Sequence, residues 1–137
     1  MLDPLKAIAS KLNLQNLSIL PFTNREGVGE IMNVTDASFI CYKNVPILET
    51  GSPNKLFDGL AAGKLIVINF GGWIKDEIAQ NQCGIFVDPK HPTDFVKKIE
   101  SFITDQKLLL QFQRAARELG ERKYSRKLLG EKFSRIF

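Results

Sequence analysis

The residues best placed to do chemistry lie in one run, Glu49-Thr50-Gly51-Ser52-Pro53-Asn54-Lys55-Leu56-Phe57-Asp58-Gly59-Leu60-Ala61-Ala62-Gly63-Lys64. Its pattern is that of a flexible loop entering a helix: Ser52 can cap the N-terminus, Pro53 suits the first helical position, and Gly63 supplies the stop. Backbone N–H groups from Ser52 to Lys55 and the positive end of the helix dipole would then face a common point, a ready site for phosphate or diphosphate. Lys55 adds a cation in the first turn. Asp58, three residues on, shares nearly the same helical face, where a carboxylate can accept hydrogen bonds from ribose hydroxyls. The same spacing also fits a plain capped helix with Lys55 solvated and Asp58 supporting the first turns.

Those residues need a scaffold, and the apolar pattern supplies one. Four short runs read as strands: Leu17–Leu20, Ala37–Tyr42, Leu65–Phe70 and Gly84–Val87. The third is apolar almost throughout rather than alternating, as a parallel strand covered on both faces would be. Helical segments fall between the runs. Residues 3–12 put Leu5, Ile8, Ala9 and Leu12 on one face, residues 24–34 carry Val28, Ile31 and Met32, and residues 52–62 and 73–81 complete the alternation. Strand–helix alternation predicts an α/β fold with a mostly parallel sheet. Beyond the turn-rich Asp88-Pro89-Lys90-His91-Pro92, three apolar stripes predict a helical tail: Phe95 to Ile103, Leu108 to Leu119, and Leu129 to Phe137. With no internal repeat and no low-complexity linker, residues 1–137 are expected to form one domain. No Gly-x-Gly-x-x-Gly turn or P-loop follows a first strand, so the fold is either a short variant or begins partway through a larger domain.

Composition narrows the functional classes. At 137 residues, with 44% hydrophobic and 25% charged side chains, the chain can bury a core without metals or disulfides. No apolar run is long enough to span a membrane, and the first residues lack the features of a signal peptide, which favours the cytoplasm. Cys41 and Cys83 match no zinc or redox spacing and read as free thiols. The net charge of +4 is unevenly spread, with eight of the cationic residues between Arg114 and Arg135. That basic face suits either solvent or anionic lipid headgroups. It carries no nucleic-acid-binding pattern. His91, the sole histidine, lies in a turn and reads as a bystander, and no cluster has metal-ligand spacing.

The segment Ser52-Pro53-Asn54-Lys55-Leu56-Phe57-Asp58-Gly59-Leu60-Ala61-Ala62-Gly63-Lys64 resembles the helix-and-strand segment of family 4 (group 1) glycosyltransferases. The Ser-Pro-x-Lys form resembles the branch that builds capsule, O-antigen and exopolysaccharide repeat units. The likeness continues in order through Val34-Thr35-Asp36-Ala37, the Gly71-Gly72 turn with Glu77 on the helix that follows, Cys83-Gly84-Ile85-Phe86-Val87-Asp88-Pro89, and the closing Arg114-Ala115-Ala116-Arg117 and Tyr124-Ser125-Arg126. The resemblance implies a Rossmann-like parallel sheet, as part of a C-terminal domain of the two-domain GT-B kind, with a helical C-terminal tail.

By the same resemblance, Asp58 takes the second acidic position of a Glu-x7-Glu pattern, which holds the donor ribose. The first acidic position falls on Thr50, with Glu49 one step earlier as a weak catalytic candidate. Gly51, Ser52, Pro53 and Asn54 would face the diphosphate or sugar, with Lys55, Gly71, Gly72 and Glu77 as further substrate-binding candidates. The family's first strands, which bring basic residues to the diphosphate, and its N-terminal acceptor domain have no counterpart in the sequence, so the chain would begin two strands into the domain. Leu17–Phe22 would lose its usual neighbour and either re-pair or be covered by a second chain, which leaves a homo-oligomer open.

The function implied is binding of a nucleotide diphosphate sugar, uridine-linked, for transfer onto a growing lipid-linked glycan. The complete enzyme would lie in the cytoplasm, peripheral at the inner face of the membrane, with no metal, cofactor or nucleic acid required. Two rivals remain at this point, a non-catalytic module that binds a nucleotide or partner chain and a sugar-nucleotide epimerase-like domain. The latter needs an acid–base set that the sequence does not display.

Overall fold

The computed structural model describes residues 2–43 and 45–137. Three parallel strands, β1 (Ala37–Ile40), β2 (Leu65–Ile68) and β3 (Gly84–Phe86), form one sheet in the order β1-β2-β3. Ala37 is in register with Leu65, and Ile66 with Gly84. The helices are α1 (Leu2–Lys11), α2 (Arg25–Val34), α3 (Asn54–Ala61), α4 (Trp73–Gln80), α5 (Thr93–Thr104), α6 (Gln106–Lys123) and α7 (Arg126–Ser134). The α/β class and the helical tail agree with the sequence pattern. A 3-10 helix, Pro46–Thr50, precedes α3 in what the sequence presents as loop.

Strand β2 shows why its sequence is continuously apolar. All four of its residues are buried, with alternate side chains entering two cores. Ile66 and Ile68 join Ile40, Leu56, Leu60, Ile74, Ile78, Ala116 and Leu119 beneath α3, α4 and the second half of α6. Leu65 and Val67 join Val87, Phe102 and Leu109 beneath α5 and the first half of α6. Burying a side chain of this size contributes about 1.5–3 kcal/mol, so the central strand anchors the sheet from both faces. Gly59 lets α3 approach the sheet closely, since a Cβ there would lie 2.8 Å from Ile66 Cδ1.

Helix α6 connects the two cores. Gln113 Nε2 donates to the Asp36 carbonyl just ahead of β1 at 2.9 Å, placing the middle of α6 under the N-terminal ends of the strands. It then climbs antiparallel to α3: the Arg117 guanidinium donates to the Ala61 carbonyl, Gly120 lies against Leu60, and the Tyr124 ring meets Phe57 at 5.1 Å. The end of α6 and the start of α7 thus sit beside the start of α3.

The run Leu17–Leu20 is not a strand. It has no regular secondary structure and no ladder partner, and Leu17, Ile19, Leu20 and Phe22 are all exposed. An apolar run becomes a strand only where a neighbour takes its backbone N–H and C=O groups, and neither β1 nor any other described segment does so. The apolar face of residues 3–12 is likewise uncovered: Leu5, Ile8 and Leu12 are exposed, and neither α1 nor α2 has a buried residue.

Candidate functional site

In an open parallel sheet the loops at the carboxyl ends of the strands gather side chains from several elements, and here two such loops are locked together. Asn69, one residue past β2, donates through Nδ2 to the Tyr42 carbonyl at 2.9 Å and accepts the Tyr42 amide through Oδ1 at 2.8 Å. The Tyr42 and Phe70 rings pack at 4.9 Å alongside. The Trp73 indole N–H donates to the Gly51 carbonyl at 3.1 Å, so the half-buried Trp73 both packs and braces the loop ahead of α3.

The glycine pair then closes on Glu49. Gly72 has φ +88°, in the left-handed region, and a side chain there would collide with the Glu49 carbonyl. A Cβ at Gly71 would lie 3.2 Å from Glu49 Oε1. Glu49, Gly51, Gly71 and Gly72 are therefore brought together, with the half-buried Glu49 carboxylate beside the turn. Thr50 is exposed, and its hydroxyl donates back to the Ile47 carbonyl at 2.9 Å inside the 3-10 helix. The carboxylate at this point of the fold belongs to Glu49, one residue before Thr50, where the family resemblance puts the acidic position.

The start of α3 differs from the sequence expectation. The N-cap residue is Pro53, the first helical residue is Asn54, and no side chain caps this end. Ser52 is exposed ahead of it and is not the cap. Pro53 lacks an N–H and the Leu56 amide donates to the Pro53 carbonyl at 3.0 Å, which narrows the proposed row of donors. The Asn54 and Lys55 amides have no acceptor among the described residues. These two N–H groups lie at the positive end of the helix dipole, an arrangement chemically suited to an anion. Lys55 and Asp58 are both exposed, and no ion pair joins them.

Asp58 opens onto a groove of about 840 Å³ between α2, α3 and the α6–α7 junction. Asn54 and Phe57 line it from α3, Arg25 from α2, Tyr124 from the end of α6, and Arg126 from α7. Arg117 reaches it too, with its guanidinium occupied by Glu121 at 2.7 Å and by the Ala61 carbonyl. Sequence spacing singles out neither Arg25 nor Tyr124, because α2 and α6 are distant from α3 along the chain. Asn69 carries a faint signal, as a polar residue closing an otherwise apolar run.

Glu77 stands apart from the glycine turn. Its carboxylate accepts from Lys123 Nζ at 2.7 Å and from the Tyr124 hydroxyl at 3.1 Å, tying α4 to the end of α6. Burial and, after it, the Glu77 charge hold the Tyr124 phenol above its ordinary pKa. Burial first, with Glu77 second, pushes the Cys83 thiol up to about 11, as befits a core cysteine, whereas Cys41 is exposed. His91 lies on the exposed turn after β3, with Nδ1 2.9 Å from Asp88. Among the described residues no group of three or more histidine, cysteine and acidic side chains could hold a metal, and no helix is long and apolar enough to cross a membrane.

Comparison with curated proteins and with solved structures yields no match. The family Glycosyl transferases group 1 matches residues 1–119, which take in the whole sheet, α3 with its approach loop, the glycine turn and most of α6. A three-stranded parallel sheet with helices on both faces agrees with the Rossmann-like architecture of a GT-B domain. By that match over most of its length, the chain belongs to the group 1 glycosyltransferases and corresponds to their donor-binding part.

Proposed function

We propose that residues 1–137 form one domain that binds a nucleotide diphosphate sugar and presents it for transfer to a growing polysaccharide. Asp58 accepts hydrogen bonds from the donor ribose. The Asn54 and Lys55 amides and the dipole of α3 stabilise the diphosphate, whose negative charge grows as the glycosidic bond breaks. Glu49, held against Gly71-Gly72, lies on the sugar side of that arrangement. The observation that carries the reading is the position of Asp58, one turn past the uncapped start of α3 and facing a groove large enough for a nucleotide.

The finer assignment follows the Ser52-Pro53-Asn54-Lys55 segment. It favours the capsule, O-antigen and exopolysaccharide branch, a uridine-linked donor, and a lipid-linked acceptor held by a separate N-terminal domain at the cytoplasmic face of the membrane. The exposed apolar run at residues 17–22 and the unpaired edge of β1 would be covered by that domain or by a second copy of the chain.

Calorimetric titration of uridine and guanosine diphosphate sugars into the chain and into Asp58→Ala tests the core of this reading. The expected result is millimolar or tighter binding of one base class, weakened about tenfold or more in the variant. Equal binding by both proteins would remove Asp58 from the site.

A further inference from the structure

Two arginines, Arg25 and Arg126, line the groove beside Asp58, and no described residue pairs with either of them. We infer that Arg126 and Arg25 are cationic ligands of the donor diphosphate. This assignment rests on reading Asp58 as the ribose group.

Three helix starts converge on the groove. α2 begins at Arg25 behind Asn24, whose side chain accepts the Gly27 amide at 2.9 Å. α7 begins at Arg126 behind Ser125, whose hydroxyl accepts the Leu128 amide at 3.2 Å. The first turns of α2 and α7 thus have side-chain caps, while α3 has none. An anion in the groove would therefore meet the free amides of α3 on one side and arginines from the two capped helices on the others.

The charge balance points the same way. Of the three arginines lining the groove, Arg117 is paired with Glu121. Arg25 and Arg126 make no ion pair and donate no side-chain hydrogen bond among the described residues, although Asp58 lines the same groove. With the Arg117–Glu121 pair cancelled, two guanidinium charges face one carboxylate. A sugar-linked diphosphate carries one negative charge on each phosphate, which matches the two arginines and leaves Asp58 for the ribose. Guanidinium suits the task because its planar fork binds two phosphate oxygens at once. Phe57 and Tyr124, with ring centres 5.1 Å apart, supply an apolar wall that limits water at the site.

Titration of inorganic pyrophosphate, uridine and guanosine diphosphates, and the matching nucleosides into the 137-residue chain tests the assignment, alongside Arg126→Gln, Arg25→Gln and Asp58→Ala. Each arginine variant is expected to weaken pyrophosphate and the bound nucleoside diphosphate about tenfold while leaving nucleoside binding unchanged. Asp58→Ala is expected to weaken nucleoside and nucleotide but not pyrophosphate. Arg126→Lys, which keeps the charge and loses the fork, is expected to fall between parent and glutamine variant. All three positions are exposed, and matching thermal melts confirm that the variants fold.

If both glutamine variants bind the nucleotide as the parent does while Asp58→Ala binds it more weakly, the arginine assignment is overturned and the ribose reading stands. If the arginine variants lose pyrophosphate but Asp58→Ala matches the parent on every probe, the ribose reading is overturned, and with it the donor role of the groove. Failure of the parent to bind any probe overturns both.

Discussion

Asn69 grips the backbone of Tyr42 at both ends, donating to its carbonyl at 2.9 Å and accepting its amide at 2.8 Å. One side chain thereby does for the loop after β1 what a further pair of ladder bonds would have done, and fixes its spacing from the loop after β2. That spacing holds Glu49 against Gly71-Gly72 and aims the approach to α3.

Replacing Asn69 with alanine leaves both Tyr42 groups without protein partners in a half-buried place. The expected cost is about 1–3 kcal/mol of stability, measured by urea unfolding. Faster hydrogen exchange at the Tyr42 amide should accompany it. A variant as stable as the parent would show that the clamp is replaceable by water.

The two glycines of the turn are expected to respond differently. Gly72→Ala forces a side chain into a left-handed backbone and against the Glu49 carbonyl, so a loss of at least about 2 kcal/mol is expected. Gly71→Ala meets the carboxylate end of Glu49, which can swing aside, and should cost less than about 1 kcal/mol. Parallel thermal melts of the two variants decide the matter, and equal losses would contradict the geometry.

The Glu77 cluster predicts alkaline sensitivity. Tyr124 is held above its ordinary pKa by burial and then by Glu77, and Lys123 is held above its own chiefly by its hydrogen bond to Glu77. For groups raised in the folded state, the stabilisation is complete below the unfolded pKa and disappears as the pH rises through the folded one. The tie between α4 and α6 should therefore weaken from about pH 10 upward. In Glu77→Gln the Tyr124 titration, followed by ultraviolet absorbance, should shift down toward the ordinary tyrosine value without reaching it, because burial remains. No movement of that midpoint would separate Glu77 from Tyr124.

Much of this arrangement is legible in the order of residues. The continuous apolar run of Leu65 to Ile68 marks a strand buried on both faces. The stripe from Leu108 to Leu119 marks a long helix, and the stop at Gly63 ends α3 within a residue or two of its observed end. Asp58 stands out as a carboxylate one turn into a helix, and Gly72 because its left-handed backbone restricts what can occupy the position. These features are local, set by periodicity within a few turns or by the demands of a single backbone conformation.

Tertiary structure decided the rest. The apolar run Leu17–Leu20 has the composition of a strand, but no described segment pairs with it, and its apolar side chains stay exposed. Ser52 has the chemistry of a cap, yet the chain enters α3 one residue later, through Pro53, with Trp73 holding the Gly51 carbonyl from another loop. Glu77 follows the glycine turn closely in sequence, but the climb of α6 along α3 brings Lys123 and Tyr124 to its carboxylate instead. The same climb places Arg126, 68 positions beyond Asp58, on the groove that Asp58 faces. A sequence states which faces are apolar and which backbones need glycine. Which distant side chains meet depends on how the helices cross the sheet, a geometry set by the summed packing of the whole core rather than by any one segment.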